Sequence, residues 1–283
     1  MKILVTGASG TIGKYVIQEL EGAGHALRLF SRRHPRDGKH KFETAHPHVA
    51  GDLRDVRAVK AAVAGLDAVA HLGANAWFSP ETFEINAVGT YNVLEACRES
   101  GVKRFVMAGS DWGVAKSDTR VSLPDYVPVD EHVTCRPNDH YGLSKVVDEQ
   151  IVELYARVHA MRCAVLRITG VWSPEQTAGY AAKDRTTAAQ DGAQWWWSYV
   201  DVRDVARAFR LALEAPALPA FGVYFTTAAD TVIDEPTTDA LRAHMPGVAV
   251  QRPLPGHASL LDWSNARAAF GWSPQHSWRT GST

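Results

Sequence analysis

Short apolar runs alternate with amphipathic stretches through the first 172 residues of the chain. This alternation is typical of βαβ units that build a parallel sheet. Strands are predicted at KILVTG (2–7), HALRLFS (25–31), HVAGDL (48–53), LDAVAHLGA (66–74), VKRFVMAGS (102–110) and MRCAVLRITGVW (161–172). Helices are predicted between them, over 10–24, 55–65, 80–101 and 141–159.

The pattern changes after residue 172. Residues 173–199 show no clear period, a helix is predicted over 200–216, a strand over 222–228 and a helix near 235–246, and the tail is rich in loops. Together these elements predict an α/β fold, a Rossmann-type doubly wound parallel sheet with a small C-terminal lobe. We expect a dinucleotide-binding domain over 1–172 and a substrate-binding lobe over 173–283, interleaved with the sheet and covering its carboxyl edge.

Composition narrows the class of protein. The chain has 283 residues, of which 46% are hydrophobic and 22% charged, as in a globular protein with a sizeable core. Its formal net charge is −1 and its charges alternate in sign, so no overall field attracts nucleic acid or an anionic membrane. No apolar run approaches the roughly 20 residues that span a bilayer, and the first residues do not resemble a signal peptide.

The cysteines and histidines form no strong metal or disulfide pattern. Cys97, Cys135 and Cys163 lie far apart and form no CxxC pair, so we expect a reduced, cytoplasmic protein. A stretch rich in proline, glycine and basic residues carries the histidines His34, His40, His46 and His48. We interpret this stretch as a solvated loop, with a metal site as the minor alternative.

The first strand runs into a glycine-rich turn, VTGASGTIGKYV, in which Gly7, Gly10 and Gly13 have GxxGxxG spacing. Glycines let the backbone approach a pyrophosphate closely, and the N-terminus of the following helix offers free N–H groups. Such a turn can be purely structural, but its place inside a βαβ pattern favours a dinucleotide. The predicted cofactor site also includes the neighbouring Ser9, Thr11 and Ile12.

The end of the second strand bears on the choice between NAD and NADP. NAD sites usually place an acidic residue about 20 positions after the glycines, whereas this strand ends in Ser31, Arg32 and Arg33. Guanidinium groups pair well with a 2′-phosphate, so the sequence favours NADP over NAD. The alternative is that both arginines face water. Asp52, followed by Leu53, stands where a carboxylate would accept a hydrogen bond from the adenine amino group.

DHYGLSKVV (139–147) places Tyr141 and Lys145 four residues apart at the beginning of a predicted helix. Residues at i and i+4 share one helix face, so the two side chains would lie side by side. An ammonium beside a phenol favours the phenolate, which would let Tyr141 act as an acid–base group near neutral pH. A YxxxK sequence also occurs by chance on surface helices, so the choice between a catalytic pair and a chance occurrence depends on the other motifs of the chain.

With the glycine turn, Asp52, HLGA (71–74) and YxxxK in this order, the chain resembles an extended short-chain dehydrogenase/reductase of the NAD-dependent epimerase/dehydratase family. The resemblance covers nearly the whole length, and it includes INAVGTYNVLEACRESGVKRFVMAGS (85–110), VLRITGVWSP (165–174) and LLDWSNARAAFGWSP (260–274). It implies a homodimer that pairs through the helices containing 80–100 and 141–159.

The resemblance also implies roles for matching residues. Tyr141 would be the acid–base group, Lys145 would stabilise its phenolate and bind the nicotinamide ribose, and Ser110 would hydrogen-bond the reacting oxygen. Asn86 would join a proton relay, or equally serve as a capping or packing residue. The implied cofactor contacts are Leu72, Gly73, Ala74, Lys145, Thr169 and Val171.

The chain departs from the family pattern in two places. Gly109 replaces the first serine of the usual Ser-Ser pair, and the C-terminal lobe is short, which disfavours a sugar-nucleotide substrate. WWWSYVDVRDV (195–205) resembles the compact uronate dehydrogenase-like branch, in which Lys183 or Arg185 would meet a substrate carboxylate. That branch uses NAD with an acid after the second strand, so the arginines here leave the substrate class open.

Aromatic residues gather near the predicted carboxyl edge. Trp77 and Trp112 follow the fourth and fifth strands, where α/β sheets bind ligands. Trp195, Trp196 and Trp197 are consecutive, so either two of them are core residues or at least one stacks on the substrate, and the sequence leaves both open. The predicted substrate site comprises Trp77, Trp112, Arg185 and Trp197, and an aromatic-lined pocket favours a small ring substrate.

Three hypotheses for function follow. The leading one is an NAD(P)-dependent oxidoreductase, with NADP favoured, that transfers hydride between the nicotinamide and a small alcohol or carbonyl compound. The second is a sugar or sugar-nucleotide epimerase or dehydratase that retains its cofactor. The third is a non-catalytic NADP-binding sensor, against which the intact Ser110, Tyr141 and Lys145 argue.

Overall fold

A seven-stranded parallel sheet forms the centre of the computed structural model, which describes residues 1–38, 40–75, 79, 81–114, 116 and 122–280. The strands are β1 (Lys2–Thr6), β2 (Ala26–Ser31), β3 (His48–Ala50), β4 (Ala68–His71), β5 (Arg104–Ser110), β6 (Tyr126–Val127), β7 (Arg162–Ile168), β8 (Val171–Trp172), β9 (Val200–Asp201), β10 (Phe221–Thr226) and β11 (Ala249–Val250). The main sheet has the order β3-β2-β1-β4-β5-β7-β10. The predicted Rossmann-type fold is confirmed, with the reversal of strand order between β1 and β4.

Helices cover both faces of this sheet. They are α1 (Thr11–Gly22), α2 (Val56–Val63), α3 (Glu81–Phe83), α4 (Gly89–Ser100), α5 (His140–His159), α6 (Pro174–Tyr180), α7 (Ala188–Asp191), α8 (Val202–Glu214), α9 (Thr237–His244) and α10 (Ser264–Phe270). On one face, α1, α8 and α10 bury residues such as Ile17 and Phe209. On the other face, α2, α4 and α5 bury residues such as Val63, Leu94 and Val152. The two layers leave the carboxyl edge of the strands open for a site.

The hydrophobic pattern locates most elements but misses local breaks. The strand predicted over 161–172 divides into β7 and the separate β8, which pairs with β9 through Val171 and Val200. The helix predicted over 80–101 contains a π-helical turn, Glu84–Val88, between α3 and α4. Residues 173–199 hold α6, α7 and a 3₁₀ turn at Ala193–Trp195, which are too short for a period to appear in the sequence.

The chain beyond residue 172 returns to the main sheet. Strand β10 pairs with β7, and α8 packs against α1. Other residues of this part form a hydrophobic cluster that includes Trp196, Trp197, Leu241 and Leu261. The division into a domain at 1–172 and a lobe at 173–283 stays a prediction. Within the described ranges, no helix has both the length and the apolar character needed to cross a membrane.

Gly109, which stands where the family has a serine, is packed against the neighbouring strand β7. A Cβ atom built on Gly109 would lie 2.6 Å from Cγ1 of Val165 and 3.0 Å from the carbonyl oxygen of Leu166. A side chain at this position would force its neighbours on β7 to shift, so glycine lets β5 and β7 pack closely here.

We predict that Gly109→Ala lowers the free energy of unfolding by about 1–3 kcal/mol, because the added methyl group overpacks the sheet. Urea denaturation would measure the change. Gly22→Ala in α1 is the matched control, since nothing lies within 4 Å of the added carbon. Equal stability of Gly109→Ala and the unmodified chain would contradict this packing argument.

Candidate active site

The beginning of α5 presents Tyr141 and Lys145 to a cavity at the carboxyl edge of the sheet. Asp139 caps the helix, because its Oδ1 atom accepts a hydrogen bond from the Gly142 amide at 2.7 Å. Its Oδ2 atom accepts a hydrogen bond from the Trp112 indole. Lys145 Nζ lies 5.9 Å from the centroid of the Tyr141 ring. The side-by-side arrangement expected from the i, i+4 spacing is therefore present.

Two glycines allow this helix to approach the turn that follows β5. A Cβ atom on Gly142 would lie 2.9 Å from the Trp112 carbonyl oxygen, and one on Gly113 would lie 3.0 Å from Cγ2 of Val146. Ser110 ends β5 and caps the 3₁₀ turn Asp111–Gly113, since its Oγ atom accepts from the Trp112 amide at 3.2 Å. Ser110, Tyr141 and Lys145 consequently line the same cavity.

Asn86 lies in the π-helical turn and is buried. Its Oδ1 atom accepts from the Asn75 amide at 2.7 Å, and its Nδ2 atom donates to the Asn75 carbonyl at 3.0 Å and to Ser144 Oγ at 2.9 Å. Ser144 in turn donates to the Tyr141 carbonyl at 2.7 Å. Asn86 therefore joins the segment after β4 to the first turn of α5, and it does not line the cavity wall.

Lys145 is almost completely buried and has fixed hydrogen bonds. Its Nζ atom donates to the Ala108 carbonyl at 3.2 Å and to Asp148 Oδ2 at 3.1 Å. Burial works to lower the pKa of Lys145, but the acidic groups around it, with Asp148 foremost, together more than offset burial, so the pKa of Lys145 is raised. The lysine therefore carries its positive charge at neutral pH.

The glycine-rich turn forms a cradle at the other end of the cavity. Gly7 has φ +66°, and a Cβ atom there would lie 2.7 Å from the Gly73 nitrogen. A Cβ atom on Gly13 would lie 2.5 Å from the Gly7 carbonyl oxygen. Gly10 caps α1 without any side-chain hydrogen bond, so the first N–H groups of this 12-residue helix remain available for a phosphate. These features fit a dinucleotide pyrophosphate.

One cavity of about 790 Å³ joins the cradle to the catalytic side chains. Its wall includes most of the predicted cofactor and catalytic residues: Gly7, Gly10, Thr11, Ile12, Gly13, Leu72, Ala74, Ser110, Tyr141, Lys145, Thr169 and Val171. The hydroxyl of Thr169 is buried there and has no hydrogen-bond partner among the described residues. An unpaired buried hydroxyl fits the polar carboxamide of a nicotinamide, the group expected at this position.

Other predicted cofactor residues lie outside this cavity wall. Ser31 Oγ donates to the Arg33 carbonyl at 2.7 Å, and it lies 3.0 Å from His48 Nε2. The side chains of Arg32 and Arg33 are exposed, and within the described part of the chain neither pairs with a carboxylate. Ser9 contacts the loop at Gly38, and Leu53 packs against Gly73.

The Asp52 carboxylate forms an ion pair with Arg54. Its carboxylate accepts hydrogen bonds from the Arg54 amide at 2.9 Å and from the Arg54 guanidinium at 2.9 and 3.0 Å. The Arg54 guanidinium lowers the pKa of Asp52 to about 2. The adenine contact predicted for Asp52 would therefore compete with this ion pair, which the sequence analysis did not anticipate.

The predicted substrate residues separate into two groups. Trp112 and Trp197 line the cavity, whereas Trp77 lies outside the described residues. Arg185 does not line it, because its guanidinium pairs with Asp234 at 3.0 Å, donates to the carbonyls of residues 180, 181 and 183, and lies 4.8 Å from the Trp278 ring. Lys183 is also absent from the cavity wall.

Two of the three consecutive tryptophans are core residues, which was one of the alternatives that the sequence left open. Trp196 and Trp197 are fully buried, and their indoles donate to the carbonyls of Ser122 and Ala189 at 2.7 Å each. Trp195 is 41% exposed and lines the cavity. Trp196 and Trp197 have φ values of +56° and +52°, a left-handed conformation that is strained for residues of this size.

Several charged groups of the site were not predicted from the sequence. Lys116 is buried in the cavity wall, where it pairs with Asp111, donates to Ser198 Oγ at 2.5 Å and lies 5.2 Å from the Trp196 ring. Burial lowers the pKa of Lys116. Asp184 and Asp191 also line the cavity. Asp148 could have been predicted, because it follows Lys145 by three residues on the same helix face. Lys116 could not, because it reaches the site only through tertiary packing.

The histidine-rich stretch does not assemble a metal centre in the part of the chain that can be described. Across those ranges, no group of at least three histidine, cysteine, aspartate or glutamate side chains is arranged to hold a metal ion. His40 instead contacts Thr11 Oγ1 through Nε2 at 2.6 Å, next to the glycine-rich cradle.

Comparisons with known proteins agree with this site. The model of the NAD dependent epimerase/dehydratase family matches residues 3–224, and the chain belongs to this family. It is therefore an enzyme with an oxidoreductase or epimerase role and a nicotinamide dinucleotide cofactor, as the resemblance predicted.

The relatives of this chain include dehydrogenases named for uronates and for L-arabinose. A uronate dehydrogenase of Pseudomonas putida is 29% identical over 262 residues, covering 77% of this chain and 90% of the relative. An L-arabinose 1-dehydrogenase (NAD(P)(+)) of Haloferax volcanii is 29% identical over 225 residues, covering 76% of this chain and 83% of the relative. The crystal structure of a glucuronic acid dehydrogenase from Chromohalobacter salexigens has a TM-score of 0.70 and 26% identity, covering 99% of this chain and 87% of that chain.

We predict that Asn86→Ala lowers the free energy of unfolding by about 2 kcal/mol, because it leaves buried polar groups of Asn75 and Ser144 without their partner. Chemical denaturation would measure this change. Asn265→Ala is the control, since Asn265 is exposed and its side chain makes one long hydrogen bond to the described residues, at 3.5 Å. If both variants are equally stable, Asn86 does not hold the beginning of α5 in place.

Proposed function

We propose that this enzyme is an NAD(P)-dependent dehydrogenase that exchanges a hydride with a small, uncharged hydroxyl or carbonyl compound. The observation that carries the proposal is the single cavity lined by Tyr141, Lys145, Ser110 and the glycine-rich cradle. A proton-transfer group and a dinucleotide cradle that share one cavity suit hydride transfer coupled to proton transfer.

Tyr141, Lys145 and Ser110 each have a separate role in the proposed reaction. The bound nicotinamide supplies or accepts the hydride, and the protein orients the reactants and moves the proton. The Tyr141 hydroxyl gives its proton to a carbonyl oxygen during reduction, or its phenolate takes the proton of an alcohol during oxidation. The ammonium of Lys145 stabilises that phenolate. Ser110 Oγ already accepts from the Trp112 amide, so its own proton is free to donate to the substrate oxygen.

The charge balance of the cavity favours an uncharged substrate. Each lysine in the wall is paired with a buried aspartate, Lys116 with Asp111 and Lys145 with Asp148. Asp184 and Asp191 add carboxylates that no lysine in the described wall neutralises. A substrate carboxylate would therefore meet repulsion from these two aspartates, and neither lysine of the described cavity wall is free to receive it.

The walls of the cavity favour a ring. Trp112, Trp172, Tyr180 and Trp195 contribute aromatic surface, and a sugar or another flat ring can stack on such surfaces. A relative named for L-arabinose, an uncharged sugar, is 29% identical to this chain, and two relatives named for uronates are 29% and 33% identical. With Arg185 held by Asp234, we favour an uncharged aldose-like substrate over a uronate.

We also propose that NADP is preferred to NAD. Arg32 and Arg33 extend from the end of β2 into solvent, and Arg32 lies close enough to influence the Asp52 carboxylate electrostatically. Two guanidinium groups without carboxylate partners in the described part of the chain can pair with a 2′-phosphate in bidentate fashion.

We predict that the purified enzyme reduces NADP⁺ with D-galactose or L-arabinose at a kcat/KM at least about tenfold above that with D-galacturonate, because the uronate carboxylate is repelled. D-Galactose and D-galacturonate form a matched pair that differs at C6. Absorbance of the reduced nicotinamide measures the rate. A preference for the uronate would contradict the uncharged-substrate proposal.

The variant Tyr141→Phe is the control for mechanism in the same assay. It should bind cofactor but turn over at least about 100-fold more slowly, since it cannot transfer the proton. Interconversion of sugar isomers without net formation of reduced nicotinamide would instead indicate an epimerase.

We predict that Arg32→Ala combined with Arg33→Ala weakens NADPH binding about 10- to 100-fold and NADH binding by much less, because the lost ion pairs involve only the 2′-phosphate. Fluorescence titration of each reduced cofactor measures both affinities. Arg36→Ala, an exposed arginine of the same loop, is the control. Equal losses for the two cofactors would reject the preference for NADP.

A further inference from the structure

We propose that Asp148 is a positioning residue that orients Lys145 and sets the pH range in which Tyr141 ionises. The inference deepens the proposed function, since it rests on the acid–base role given to Tyr141. Asp148 is fully buried, and its Oδ2 atom accepts a hydrogen bond from Lys145 Nζ at 3.1 Å. A carboxylate in this place fixes the direction in which the Lys145 ammonium points. It also offsets part of the electrostatic effect of that ammonium on Tyr141.

The orientation follows from the hydrogen bonds of the ammonium. An ammonium has three N–H donors, and two of those of Lys145 are used by the Ala108 carbonyl and by Asp148. Lys145 also lines the cavity, so the third donor is left for the cavity side, where Tyr141 lies. Asp148 thus prevents the lysine from rotating its charge away from the reacting groups.

The negative charge of Asp148 acts on the Tyr141 phenolate in the opposite direction to the positive charge of Lys145. A carboxylate two helical turns from Tyr141, on the same face of α5, opposes a phenolate there and offsets part of the stabilisation from Lys145. With Asp148 ionised, Tyr141 should therefore lose its proton at a higher pH than it would beside Lys145 alone. Such a device keeps the tyrosine protonated, and able to donate, over more of the neutral range.

Among the described residues, the other groups that face this pair do not supply the same control. On β4, burial lowers the pKa of His71 to about 3, so this histidine stays neutral through the working range. Burial raises the pKa of Asp148, and the ammonium of Lys145 together with the Thr90 hydroxyl on α4 works against that rise. Thr90 also contacts His71 Nε2 at 3.2 Å. On α5, Glu149 is paired with Arg167 of β7 at 2.8 Å. Across the cavity, Lys116 and Asp111 neutralise each other.

The test compares Asp148→Asn with the unmodified enzyme. An asparagine keeps an oxygen that can accept from Lys145, but it removes the charge. Ultraviolet difference titration, with Tyr141→Phe in each background subtracted, isolates the ionisation of Tyr141 from the other tyrosines. We expect its midpoint to move to lower pH by about one unit, the size of effect that one charge has at this separation in a partly buried site. Glu153→Gln, an exposed carboxylate on the same helix, should leave the midpoint unchanged.

This titration needs no substrate, so its outcome is separate from that of the sugar assay. A folded Asp148→Asn enzyme with an unchanged midpoint would overturn the proposal, even if its stability or turnover fell. If that variant does not fold, Asp148→Ser decides instead. It removes the same charge and keeps a small polar side chain, so it should move the midpoint in the same direction. No movement in Asp148→Ser would likewise reject the role of Asp148.

Discussion

The close contact between the beginning of α5 and the turn after β5 determines the geometry of the site. Gly142 and Gly113 let the two backbones approach, while Asp139 joins them by capping the helix and accepting from the Trp112 indole. Ser110 belongs to one side of this contact and Tyr141 to the other. Because both partners are anchored by the central sheet and its helices, the reacting groups are held close together.

Much of the fold and the cofactor site could be predicted from the sequence, because the signals are local. The glycine turn at Gly7 and the Tyr141–Lys145 spacing each involve neighbouring residues whose geometry follows from one strand or one helix. The resemblance to a family added Ser110 and Thr169, which share the cavity wall with them. The family itself is confirmed by the comparison.

What could not be predicted depends on partners distant in sequence or on competition between them. Arg185 was predicted to bind a substrate carboxylate, but in the structure it pairs with Asp234, which lies 49 positions further along the chain. Asp52 suited adenine, but the guanidinium of Arg54, two residues away, occupies its carboxylate. The pairing of Lys116 with Asp111 also requires the loop after β5 to fold back. Charge type alone does not show which of several candidate partners a side chain chooses.

The strained conformation of Trp196 and Trp197 has a consequence for the rim of the cavity. Their buried indoles hold an unfavourable backbone in place, so neither can be exchanged without releasing the turn. Trp195 sits on the same turn but spends much of its surface in solvent at the rim of the cavity. The side chain at this rim position is therefore displayed on a turn whose shape depends on the two buried indoles beside it.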